Sequence, residues 1–171
     1  TYVFADVRVP AGSAPGRYPL TVRTTAGSVE APFELFRRLP AQGRYAGWGR
    51  DDVMYLLMPD RFANGDPSND DPAVSRGLFD RSKSRYYHGG DLEGVRQRLP
   101  YLKDLGITTI WMNPIYQNND RLNDRETYDN LPITDYHGYG ATDFYAVEEH
   151  FGTMAEVRRL EVGFVSNDTG R

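Results

Sequence analysis

Over residues 2–9, Val3, Ala5, Val7 and Val9 alternate with other residues, and Phe4 interrupts the polar side. A period of two predicts a β-strand with one buried face. Residues 18–24 and 29–36 carry two more strand-like runs. The cluster Ala11-Gly12-Ser13-Ala14-Pro15-Gly16 precedes them, and Ala26-Gly27-Ser28 joins them. Such clusters mark turns. Short strands at regular spacing predict a β-sandwich. Three strands are too few to close one, so residues 1–40 are expected to be the last strands of an all-β sandwich that begins before residue 1. Pro40, Gly43, Gly47 and Gly49 then mark residues 41–50 as a linker.

The pattern changes at Asp52. Residues 53–58 are a short continuous apolar run, as expected of a strand buried on both faces in a parallel sheet. A polar loop rich in Asp, Asn, Gly and Ser fills residues 61–90; loops of that length are uncommon and usually functional. Asp91 can cap a following helix, in which Leu92, Val95, Leu99, Leu102 and Leu105 recur at spacings of three and four. Pro100 falls inside that pattern and is expected to kink or split the helix. Gly106 suits its end, where a left-handed residue is favoured. Residues 107–113 form a second buried strand, closed by Pro114. Strand, helix, strand predicts parallel β/α architecture. A second long polar loop covers about 115–143, and Ala155, Val157 and Leu160 predict another helix from near Thr153.

Composition narrows the function classes. The net charge of −4 gives no basic surface for nucleic acid or an anionic membrane. No apolar run approaches the ~18–20 residues a membrane span needs. Cysteine is absent, which excludes disulfides and thiolate metal sites. The 12 tyrosines suit sugar recognition, because a pyranose offers an apolar C–H face and a polar rim, but composition alone favours packed core rings.

Two stretches carry chemistry. Asn64-Gly65-Asp66-Pro67-Ser68-Asn69-Asp70 puts four Asn and Asp side chains in a turning segment, and His88-Gly89-Gly90-Asp91 follows. A hard cation such as Ca²⁺ wants about six to eight oxygens. The side chains of Asn64, Asp66, Asn69, Asp70 and Asp91 and the carbonyl of Gly89 would supply them. The spacing is not that of an EF-hand. A loop of Asx-turns uses the same residues, and spacing alone does not choose. The second stretch, Asp135-Tyr136-His137-Gly138-Tyr139-Gly140-Ala141-Thr142-Asp143-Phe144-Tyr145, lies beyond the carboxyl end of the second parallel strand, where such folds bind ligands. His137 could hydrogen-bond sugar hydroxyls and Tyr139 could stack on a ring; a core aromatic cluster with a satisfied histidine is the alternative. His88, His137 and His150 form no zinc motif. No nucleophile elbow or phosphate loop is present. Glu148-Glu149-His150 reads as a solvated surface stretch.

These stretches resemble a known family. Met58-Pro59-Asp60-Arg61-Phe62-Ala63-Asn64-Gly65-Asp66 resembles the first barrel strand and calcium loop of glycoside hydrolase family 13, the α-amylase family. Tyr87-His88-Gly89-Gly90-Asp91-Leu92 resembles the start of its first barrel helix, and Gly106-Ile107-Thr108-Thr109-Ile110-Trp111-Met112-Asn113-Pro114 its second strand. Tyr136-His137-Gly138-Tyr139, Asp143-Phe144-Tyr145 and Phe151-Gly152-Thr153 resemble the segment after it. The preceding strands resemble the N-terminal Ig-like sandwich of cyclomaltodextrinases and neopullulanases.

The resemblance implies an α/β fold: an incomplete (β/α)8 TIM barrel over residues 51–171, after the sandwich strands of 1–40. It implies a Ca²⁺ cofactor on Asn64, Asp66, Asn69, Asp70, Gly89 and Asp91, and a sugar held by His137 and stacked on Tyr139. It implies hydrolysis of α-glucans such as starch, pullulan, cyclodextrins and maltooligosaccharides by a retaining mechanism, which uses two carboxyl groups about 5–5.5 Å apart. The family's branch suggests a periplasmic or secreted parent and admits a homodimer. None of Asp60, Asp135 and Asp143 matches the family's catalytic carboxylates, so no catalytic residue is assigned and the chain is expected to be an inactive piece. After Leu160 the chain is expected to leave the family pattern, with much of the helix lost, and residues 161–171 receive no role. A non-catalytic carbohydrate-binding module and a Ca²⁺-stabilised scaffold are the competing readings.

Overall fold

The structure, a computed structural model, describes residues 5–37 and 48–167, with side chains only as far as Leu160. The chain divides into two units, residues 1–46 and 47–171. In the first, β1 (Gly16–Thr24) and β2 (Gly27–Leu35) pair antiparallel in register from Gly16 against Leu35 to Thr24 against Gly27. Gly27, at φ 141°, takes the tight reversal that a side chain would resist. Residues 5–9 are not a strand, contrary to their alternating pattern. A strand needs a neighbour to satisfy its backbone N–H and C=O groups, and alternation cannot supply one. Residues 2–4 and most of the expected linker, 41–47, lie outside the described residues.

The second unit is built on two short parallel strands, β3 (Met54–Leu57) and β4 (Thr109–Met112), with Leu56 opposite Trp111 and Leu57 opposite Met112. Period two splits these pairs between faces. Leu57 is buried and Met112 half-buried, in contact with the core; Leu56 and Trp111 are 67% and 59% exposed. The expectation of strands buried on both faces therefore fails for this chain. One face has its cover, and the other has none among the described residues.

That cover is α2 (Leu92–Asp104), whose Leu92, Val95, Leu99 and Leu102 meet Leu57, Tyr87, Phe151 and Leu160 in the core. Asp91 caps it, accepting from Gly94 N at 2.6 Å. Gly106, at φ 86°, stops it. Pro100 neither splits nor ends it. The residue is exposed, as is Arg96, whose carbonyl loses its helical donor and can turn to water instead.

The loop expected over 61–90 contains a short helix, α1 (Pro59–Phe62), and two 3₁₀ turns, Pro67–Asn69 and Ala73–Ser75. The second expected loop holds four strands: β5 (Tyr116–Gln117), β6 (Asn123–Tyr128), β7 (Leu131–Ile133) and β8 (Asp143–Val147). β5 pairs with β8, and β6 with β7. Asp129 and Asn130, at φ 52° and 61°, form the β6–β7 turn, where a two-residue hairpin wants positive φ at both positions. Helix α3 (Met154–Asn167) opens with a capping box: Thr153 N donates to Glu156 Oε2 at 2.7 Å, and Glu156 N to Thr153 Oγ1 at 3.4 Å. It continues to Asn167, so the first part of the tail extends the helix rather than losing it. Residues 168–171 lie outside the described part.

Candidate functional site

Asp60 organises the carboxyl end of β3. It is buried; His88 N donates to its Oδ1 at 2.8 Å and Gly89 N at 3.3 Å, and Arg61 pairs with it. Burial raises its pKa to about 6, with the Arg61 charge opposing. Arg61 also donates to the carbonyls of Tyr86 (3.0 Å) and Ser84 (2.7 Å), and its guanidinium lies 3.9 Å from the centre of the Tyr136 ring. Gly90 has to be glycine, because a Cβ would overlap the Pro59 carbonyl oxygen. These contacts bring the His88–Asp91 segment against residues 59–66.

The six residues expected to hold a cation are thereby gathered. Asn64 Nδ2 donates to Asp70 Oδ1 at 2.6 Å. A Cβ on Gly89 would strike those same two side chains. Asp91 accepts from Gly65 N, from Asp66 N at 2.8 Å and from Gly94 N. Its carboxylate thus accepts from three backbone N–H groups, with Gly65 N within reach of both oxygens, as a helix cap and as a brace for the loop. Asp66 Oδ1 accepts from Ser68 N at 3.0 Å and Ser68 Oγ at 2.6 Å, an Asx-turn. Both amide atoms of Asn69 are buried without a hydrogen-bond partner. Burial pushes the Asp70 carboxyl up, the Asn64 amide opposes, and the charges of Asp91 and Asp66 add to the rise. Among the described residues no three Asp, Glu, His or Cys side chains form a metal cluster, so any cation here must draw on amide and carbonyl oxygens as well.

His137 and Tyr139 lie beyond β4. Asn113, just past that strand, donates from Nδ2 to the His137 carbonyl at 3.0 Å. Gly138, at φ 87°, meets the Pro114 carbonyl so closely that no Cβ would fit; at Gly140 a Cβ would collide with the Asp135 carboxylate. Tyr139 N donates to His137 Nδ1 at 3.0 Å. That nitrogen is therefore an acceptor, and in the neutral ring the proton sits on Nε2. Nε2 lies 3.8 Å from Asp135 Oδ1, beyond hydrogen-bond length, while Asp135 accepts from Asn119 Nδ2 at 2.8 Å. The Tyr139 ring is 67% exposed and lies 5.9 Å from the imidazole. The pair offers an N–H donor beside an accessible aromatic face. A cavity of about 300 Å³ lies elsewhere, between Ser82–Tyr86 and the β6–β7 hairpin.

Glu148-Glu149-His150 corrects the surface reading. Glu148 and His150 are buried, His150 completely. Glu148 Oε2 accepts from Asn118 N at 2.8 Å; burial raises its pKa to about 7, the Asn118 amide opposes, and the neighbouring Glu149 charge adds to the rise. Burial lowers the His150 pKa to about 4. The ring stacks on Tyr87 at 3.8 Å and 6°. Tyr87 Oη and both amide atoms of Asn118 are buried; burial pushes the phenol up, and the Asn118 side chain opposes the rise. Three consecutive polar residues gave no sign of this: the groups that satisfy them come from distant segments.

The α-amylase catalytic-domain family model matches residues 56–166. The chain belongs to the α-amylase family. The match runs through most of α3, so the family pattern continues past Leu160. A cyclomaltodextrin glucanotransferase of Klebsiella oxytoca is 39% identical over 111 residues, 65% of this chain and 16% of that protein. Neopullulanase 2 of Thermoactinomyces vulgaris is 37% identical over 114 residues, 66% of this chain and 17% of that protein. The crystal structure of a cyclomaltodextrin glucanotransferase with a three-domain ABC distribution superposes with a TM-score of 0.62 and 44% identity over 68% of this chain and 23% of its own. The α-amylase-family chain thus spans about a sixth of the curated relatives' length, and its β3–α2–β4–α3 run is part of a (β/α)8 barrel. Among the described residues no helix is long and apolar enough to cross a membrane.

Proposed function

We propose that this chain forms the cation- and sugar-binding flank of a glycosidase that cleaves α-glucans with retention, and that it does not hydrolyse them alone. One observation carries the reading: His137 presents an Nε2–H beside the exposed Tyr139 ring at the carboxyl end of β4. A pyranose laid on Tyr139 buries its C–H face and leaves its hydroxyls in reach of that donor. Asp60 and Asp135 hold backbone and side-chain groups in place, and neither stands at a position that matches the family's nucleophile or acid. The carboxyl pair would come from further β/α units. The β1–β2 hairpin fits the tail of an Ig-like sandwich, and by family likeness the parent works outside the cytoplasm, as a monomer or a homodimer.

The loop residues fit a hard divalent cation such as Ca²⁺. Asn69 keeps a buried amide without a partner, and the Asp66, Asp70 and Asp91 charges crowd one another. Asn64, Asp66, Asn69 and Asp70 with the Gly89 carbonyl would hold it, and Asp91 would brace the loop. A bound cation would neutralise that charge and fix the loop's shape.

Titration of the chain with maltoheptaose tests the sugar site. Binding is expected, and Tyr139→Ala should weaken it about tenfold, a stacking loss of ~1.4 kcal/mol. Reducing-sugar release from starch, pullulan or cyclodextrin should stay at the heat-killed level. Undiminished binding by Tyr139→Ala would move the sugar elsewhere and favour the carbohydrate-binding-module reading, and release above the control would overturn the inactivity.

A further inference from the structure

Two consecutive residues, His150 and Phe151, hold both arms of the loop just described. On one arm, His150 Nδ1 lies 2.9 Å from the carbonyl oxygen of Asp70. On the other, Leu92 N, next to Asp91, donates to the Phe151 carbonyl at 3.0 Å. A carbonyl only accepts, so Nδ1 carries the imidazole proton. His150 Nε2 is then the acceptor for Ser75 Oγ at 2.9 Å. Both ring nitrogens are used, and the ring lies flat on Tyr87, so its orientation is fixed by three different segments.

The strap itself is anchored. Phe151 N and Gly152 N donate to the Glu148 carbonyl at 2.9 and 3.1 Å, Glu148 N donates to the Ile115 carbonyl at 3.0 Å, and the Glu148 carboxylate accepts from Asn118 N. The Phe151 ring meets Tyr87 edge-on at 6.0 Å. Beyond the Asp70 carbonyl, the Asp70 side chain packs with Asn64 where a Cβ on Gly89 would be, and the buried Asn69 amide is the next residue back. Moving the Asp70 carbonyl therefore moves two of the loop's oxygen donors relative to the Gly89 arm.

We infer that His150 is a positioning residue for the cation loop: its Nδ1–H clamps the Asp70 carbonyl while Phe151 holds the start of α2, and together they set the separation of the two arms and hence the affinity for a hard divalent cation. The inference rests on the cation reading of that loop. A ring that merely filled space would make no use of its Nδ1 proton. The clamp does.

Calorimetric titration of the whole chain with calcium chloride separates these cases. His150→Phe keeps an aromatic ring on Tyr87 and removes the donor; Ca²⁺ affinity is expected to fall about tenfold. His150→Asn restores an amide N–H near the Nδ1 position and should recover affinity to within about threefold of the parent chain. In EDTA the two variants should melt at similar temperatures, so that the affinity difference reports the donor rather than general packing. If His150→Phe fails to fold, Ser75→Ala, which frees only the far side of the ring, should still weaken binding about threefold. Parent-like affinity in His150→Phe, or in Ser75→Ala should that variant be the one that folds, overturns the clamp alone. Absence of Ca²⁺ binding by the parent chain overturns the cation reading and the clamp with it.

Discussion

Glu148 and His150 stand two positions apart, and burial drives their proton equilibria in opposite directions. Glu148 moves from its ordinary 4.5 to about 7. Between those values the folded chain holds a proton that the unfolded chain has lost, so its contribution to stability is full below pH 4.5 and fades as pH rises through 7. His150 moves from 6.5 to about 4. There the unfolded chain binds the extra proton, so its contribution is full above 6.5 and fades as pH falls through 4. The two effects oppose each other from about pH 4.5 to 6.5, and Asp60, raised to about 6, acts in the same sense as Glu148. Glu148→Gln removes one member of this set. Relative to the parent, its unfolding free energy should improve by on the order of 3 kcal/mol between pH 4.5 and 7.5, at up to ~1.4 kcal/mol per pH unit. Urea unfolding at the two pH values measures this, and an unchanged difference between variant and parent would remove Glu148 as a titrating group.

At the scale of elements, α2 tests how far local rules reach. Its cap, its apolar face and its glycine stop were all legible: Asp91, the three-and-four spacing of Leu92 to Leu102, and Gly106 each act within one turn of the chain. Pro100 was misjudged because packing of the buried face outweighs one missing hydrogen bond on the exposed side. That bond still costs something. Pro100→Ala should raise stability by about 1–3 kcal/mol, since proline is ~3 kcal/mol worse than alanine inside a helix and part of that returns through the stiffer unfolded chain. A lower urea midpoint in the variant would show that the proline ring has a packing role. The β6–β7 hairpin was missed for a related reason. Asp129-Asn130 is turn chemistry, but residues 123–128 are too polar to alternate, and pairing with β7 rather than periodicity makes them a strand. In the candidate site, residue types and spacing left the gathering of residues 64–70 with Gly89 and Asp91 open against a loop of Asx-turns, and the family resemblance favoured it. The role of His150 could not be read at all, because Ser75 and Asp70, its partners, precede it by 75 and 80 positions.

For the molecule as a whole, the sheet face bearing Leu56 and Trp111 matters most. Parallel strands are ordinarily covered on both sides, yet these two opposed side chains are 67% and 59% exposed. Among the described residues both strands of the pair also have a free edge, since there β3 and β4 hydrogen-bond as strands only to each other. An apolar face combined with open edges favours pairing between copies. The relatives match this chain over about a sixth of their length, and the natural cover for such a face is the side chains of further β/α units in the same barrel. Without that cover, sedimentation velocity should show species that grow with concentration. Replacing Leu56 and Trp111 together by Thr keeps strand-forming residues on β3 and β4 while removing most of the apolar area. The double variant should therefore shift toward monomer with its Ca²⁺ titration unchanged, because Leu56 and Trp111 sit on β3 and β4 and neither is one of the cation-loop positions. A parent chain that sediments as a monomer at every concentration would mean that the exposed pair does not drive association.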